Sequence, residues 1–73
     1  MKNPGFIALL PDGRHVIVYN HQPLAEQKGK IILHLVDEKF NKIMDGDKPK
    51  ILIKDVAGYN EEMQAAKLIG YVD

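Results

Sequence analysis

Three histidines, His15, His21 and His34, are the side chains of this chain best suited to hold a transition metal. A zinc site made from them needs three converging imidazoles, usually with an Asp or Glu fixing a ring. His15 and His21 flank the end of one β-rich run and His34 lies in another, so nothing in their spacing forces convergence. We expect no metal site. Asp45-Gly46-Asp47 places oxygen ligands on either side of a glycine, as a calcium loop does. Such a loop also needs a bidentate Glu at its twelfth position, and here that position is Val56. A solvated turn is the better reading.

Acid–base chemistry fares no better. Asp37-Glu38 and Glu61-Glu62 are sequence neighbours, whereas working carboxylate pairs come from different elements and face each other across a cleft. The chain contains no serine, threonine or cysteine, which removes the usual nucleophiles and any disulfide or thiolate–metal framework. No glycine-rich phosphate loop is present. These features predict a protein that is not an enzyme and uses no cofactor.

The elements that must position any surface contact are mostly strands. Phe6–Leu10 and Arg14–Tyr19 flank Pro11-Asp12-Gly13, three residues with the chemistry of a hairpin turn. In the second run Val16 and Val18 share one face, with His15, Ile17 and Tyr19 on the other. Residues 1–5 read as a loose lead-in because Pro4 and Gly5 discourage regular structure. Residues 20–29 lack strand character, with a helical turn expected around Leu24–Gln27 and Leu24 as a plug beneath it.

Lys30–Val36 is apolar on both faces, Ile31, Leu33 and Leu35 on one and Ile32 and Val36 around His34 on the other. That pattern predicts a strand inside a sheet. A helix over residues 30–44, with a stripe at 32, 36, 40 and 43, is the runner-up. Residues 37–41 read as a turn, Lys42–Met44 as a short returning strand, residues 45–49 as a second turn and Lys50–Lys54 as an edge strand entered through Pro49. At the C-terminal end the period changes to helical. Asn60 is a candidate N-cap and Gly70 a candidate terminator, giving a helix over 60–69 with Met63, Ala66 and Ile69 on its apolar face, and Tyr71-Val72 as a brief final strand.

Length allows one domain over residues 1–73 with one modest core. The expected fold is mostly β, a small α+β domain. It is a five-stranded antiparallel sheet, or a small open barrel of SH3-like or OB-like strand count, with one short C-terminal helix. No segment approaches the roughly 20 apolar residues of a spanning helix, and we expect a cytoplasmic protein with no membrane contact.

Net charge is zero but unevenly spread. Residues 28–54 carry seven lysines against Asp37, Glu38, Asp45 and Asp47, or +3. Residues 55–73 carry Asp55, Glu61, Glu62 and Asp73 against Lys67, or −3. Mutual attraction within the fold accounts for this imbalance more simply than a charged partner does.

A chain this short can bury one face of Lys30–Val36 more readily than both. We therefore expect an interaction module that binds another protein or its own copy, as a homo-oligomer. The candidate contacts are Ile32, His34, Val36, Met63 and Ile69. The alternative is a nucleic-acid-binding barrel using Lys28, Lys30, Lys39, Phe40, Lys42 and Lys50. Its small basic bias and single arginine, Arg14, place it second.

Overall fold

The computed structural model describes residues 4–22 and 27–72. The elements among the described residues follow in the order β1 (Gly5–Leu9), β2 (His15–Tyr19), β3 (Lys30–Val36), β4 (Met44–Asp45), β5 (Lys48–Pro49), β6 (Ile51–Asp55), α1 (Val56–Ala65) and β7 (Lys67–Val72). Five of them form one antiparallel sheet in the order β6-β3-β2-β1-β7, and β4 and β5 make a separate two-stranded arm. Among the described residues no ladder joins β6 to β7, so the five strands make an antiparallel sheet with β6 and β7 at its edges.

The first hairpin forms as its turn residues dictate. Leu10 and Arg14 close it through an N–H···O bond of 2.8 Å, and Gly13 takes φ 94°, which suits a residue without a Cβ. The Asp12 carboxylate accepts the Arg14 N–H at 3.1 Å, and that bond holds the carboxyl below its ordinary range. β3 is extended, as its two apolar faces require, and sits between β2 and β6; the alternative helix over residues 30–44 does not form.

Three expectations are corrected. The loose lead-in does not reach residue 5: Gly5 begins β1, pairing with Tyr19 on one side and Val72 on the other. A Cβ there would collide with the Val18 carbonyl, so the glycine read as a breaker is what lets the strands approach. The fifth strand of the sheet is β7 and not Lys42–Met44. Lys42 contributes one bridge to Val36, and Met44 turns away to pair with Pro49. The segment 67–72 instead supplies Ile69 and Val72, which pack against Ile7, Ile17 and Val36.

The helix, third, spans 56–65 in place of 60–69. Asp55 ends β6 and caps the helix, its carboxylate accepting the Gly58 N–H at 2.7 Å, five residues before the expected cap at Asn60. Val56 and Gly58 are weak helix formers, which masked that start in the sequence. At the other end, pairing of 67–72 with β1 wins over one more helical turn. Of the helical turn expected around Leu24–Gln27, Leu24 with its plug role and the residues up to 26 lie outside the described residues, and Gln27 is helical.

The core has two parts, one on each side of the sheet. Ala8, Leu10, Val16, Val18, Leu33 and Leu35 form the larger, covered by Tyr59, Met63 and Ala66 from or beside α1. Burial among these groups raises the Tyr59 phenol above its ordinary pKa. On the opposite side Ile7, Ile17 and Val36 are buried among Tyr19, Ile69 and Val72.

Candidate functional site

Cross-strand partners share a face, so the pairing registers say which residues line the side of the sheet away from α1. From β2 come His15, Ile17 and Tyr19; from β3 Lys30, Ile32, His34 and Val36; from β6 Ile51 and Ile53. The middle of this face is closed and its β6 side is not. Ile51 is 37% exposed and Ile53 61%, with half-buried Ile32 and His34 beside them as direct cross-strand partners. Isoleucine on an edge strand at that exposure is apolar surface that folding has left uncovered.

Aromatic and cationic side chains collect on the same face toward β2. The Tyr19 and His34 rings meet edge-on at 5.0 Å between centroids, and Lys42 Nζ lies 5.2 Å from the Tyr19 centroid. Phe40 packs its ring 6.3 Å from that of His15 and remains 44% exposed. His34 Nδ1 is buried without a hydrogen-bond partner. Desolvation, and then the Lys42 charge, hold the His34 imidazole below its ordinary pKa.

Phe40 owes its place to a tight turn. Asp37 accepts the Lys39 and Asn41 N–H groups on one carboxylate oxygen, both at 2.9 Å, while its carbonyl takes the Phe40 N–H at 3.0 Å. The turn puts Phe40 at φ 68°, left-handed and strained for a phenylalanine.

The five residues expected to meet a partner separate into different settings. Ile32 and His34 lie on the partly open face, half-buried. Val36 is buried, 3% exposed, in the core of that side. Met63 packs on the opposite core, and Ile69 belongs to β7 and packs with Val36. The lysine set is also split. Phe40 packs near His15 at the start of β2, Lys42 reaches Tyr19 at its end and Lys39 adjoins Phe40 in the turn, Lys28 and Lys30 lie at the N-terminal end of β3, and Lys50 borders a groove of about 380 Å³ beside Asp37, Glu38 and Ile43. The sequence places Ile51 and Ile53 in a strand and assigns them no contact. Their alternation after Pro49 is the signal that marks them, since an edge strand leaves one flank without a neighbour.

No family model, curated protein or solved structure matches this chain.

Among the described residues no three His, Asp or Glu side chains come together as a metal-binding group. No helix of the described residues is long and apolar enough to cross a membrane. The uneven charge is partly answered inside the fold, where Lys54 Nζ meets a Glu62 carboxylate oxygen at 2.9 Å and ties the basic middle to the acidic helix.

Proposed function

We propose that this chain is a non-enzymatic interaction module that binds protein, another chain or its own copy, through the β6 side of its sheet. Ile53 carries the reading: an isoleucine 61% exposed on an edge strand, next to Ile51, Ile32 and His34. Covering such a strip returns roughly 25 cal/mol for each Å² of apolar surface removed from water, and a partner is the direct way to cover it. Sedimentation velocity over a range of concentrations tests the self-association version. A dimer that Ile53→Glu dissociates without lowering thermal stability supports it, and a persistent monomer assigns the surface to a different protein. Detection of protein partners only at surfaces remote from β6 sinks the reading.

A second reading is favoured by one cluster. Phe40, exposed and packed near His15, is flanked in its turn by Lys39 and Lys42, an exposed ring beside cations as a single-stranded nucleic acid requires. Fluorescence anisotropy with single-stranded oligonucleotides at low salt tests it, since phosphate contacts are strongest there. Binding lost in Phe40→Ala and weakened in Lys42→Ala supports this reading, and no binding at low salt removes it.

A further inference from the structure

β6 is hydrogen-bonded along one flank. Leu35 N–H donates to the Lys50 carbonyl at 3.0 Å and Lys50 N–H to the Ile43 carbonyl at 2.8 Å, so the main chain of Lys50 faces inward. Direction alternates along an antiparallel strand. Leu52 and Lys54 therefore face β3, and the N–H and C=O of Ile51 and Ile53 face the outer flank, where the described residues place no other strand. The same two residues hold the exposed isoleucine side chains. Main chain and side chain thus call for one kind of occupant, an extended segment with apolar residues at alternate positions.

Charge decides whose segment it is. Lys50 and Lys54 lie on the other side of the strand from Ile51 and Ile53, the side shared with Leu52. A second copy pairing antiparallel through β6 about a two-fold axis at Leu52 sets Lys50 against Lys54 twice. An axis at Lys54 sets that lysine against its own copy, and an axis at Ile53 sets each Lys50 diagonally across from Lys54 of the second copy. Like charges across a strand pair destabilise it, and lysine is a common guard against edge-to-edge association. Glu62 pairs with Lys54 and Asp55 accepts the Gly58 N–H, while Asp37 and Glu38 line the groove beside Lys50 without forming an ion pair with it. Lys50 makes no ion pair among the described residues.

We infer that the outer flank of β6 docks an extended acidic segment of a different protein, added as an antiparallel strand. Its side chains opposite Ile53 and Ile51 are apolar, and the one opposite Lys50 is Asp or Glu. Read from its N-terminus, the segment runs apolar, any residue, apolar, acidic. The inference rests on the interaction-module reading and specifies its partner and mode.

The test is selection of a random linear peptide library on the immobilised full chain, then amide-resolved NMR titration with the enriched peptide made synthetically. The expected result is the apolar–any–apolar–acidic pattern, with slowed exchange at the Ile51 and Ile53 amides. Lys50→Glu, at an exposed position, should weaken that peptide about five-fold and favour a peptide with lysine in the acidic place. Ile53→Glu should abolish binding, with circular dichroism confirming the fold. Enriched peptides without an acid, or shifts confined to Phe40 and Lys42, overturn the edge assignment and leave an interaction module standing. A dimer of the chain that protects the Ile51 and Ile53 amides overturns the choice of partner. A library that yields no ligand, for a chain that sediments as a monomer, overturns this inference and the reading beneath it.

Discussion

The carboxamide of Gln22 stands where a strand residue would stand opposite Ile32. Ile32 N–H donates to Gln22 Oε1 at 2.7 Å, and Gln22 Nε2 donates to the Ile32 carbonyl at 3.0 Å. Nε2 also reaches the Tyr19 carbonyl at 3.0 Å. The β2–β3 ladder ends at Ile17–His34, so this side chain continues it by one step and positions the start of the exposed isoleucine strip. Gln22→Ala leaves the half-buried main chain of Ile32 without these partners. At about 1 kcal/mol for each hydrogen bond, urea denaturation should show a loss of about 1.5–3 kcal/mol. Exchange at the Ile32 amide should quicken more than at Leu33, and equal protection in both proteins refutes the role given to Gln22.

His34 makes stability depend on pH. Its imidazole is held below the ordinary value of 6.5, first by desolvation and then by the charge of Lys42. Unfolded chains therefore take up this proton at higher pH than folded ones do. Stability from the neutral ring is complete above about pH 6.5 and declines as pH falls from there through the folded-state value. His34→Phe keeps a ring beside Tyr19 and removes the titration, so the acid-side decline in Tm between pH 7 and 5 should flatten. The same slope in wild type and variant excludes His34 as its source.

What the sequence shows of this fold follows from what local chemistry can specify. The Pro11-Asp12-Gly13 turn and the doubly apolar Lys30–Val36 strand are legible because turn residues and two-sided apolarity have few other uses. Residues 56–72 are harder. Met63 and Ala66 do face the core, but Ile69 fits a helical stripe and a strand equally well until β1 is present to pair with it. Gln22 bonds Ile32 across ten positions, and no local pattern announces that. Of the surface, His34 and Ile32 are legible as the second face of β3. The edge position of β6 is legible from Pro49, but the exposure of Ile53 is not, because it depends on which elements cover the β6 side of that face.

Gly5 separates a loop glycine from a packing glycine. A methyl group at this position meets the Val18 carbonyl and crowds Tyr19 Cα at 3.0 Å, both backbone atoms of a paired strand that have little room to yield. Gly5→Ala should cost about 1–3 kcal/mol, as overpacking in a closed space does. Gly46→Ala is the contrast. Nothing lies within 4 Å of a Cβ there, so its smaller cost comes from the residue's φ of 69° alone. Thermal denaturation of both variants reads the difference, and a Gly5→Ala protein as stable as wild type contradicts the close approach of β1 to β2.

Phe40 brings stability and recognition into conflict. Its φ of 68° costs a residue with a Cβ about 1 kcal/mol or more, and the Asp37 turn maintains it through bonds that a glycine would accept equally. The ring returns little of this, being 44% exposed and meeting His15 at 6.3 Å. Phe40→Gly should therefore stabilise the chain by about 0.5–1 kcal/mol, raising Tm by about 3–6 °C. If the ring stacks on a nucleic-acid base, the same variant loses oligonucleotide affinity while gaining stability, and the two readouts move in opposite directions. A Phe40→Gly protein that is less stable than wild type shows instead that the ring is fastened to the sheet more firmly than its exposure indicates, and the strain argument fails.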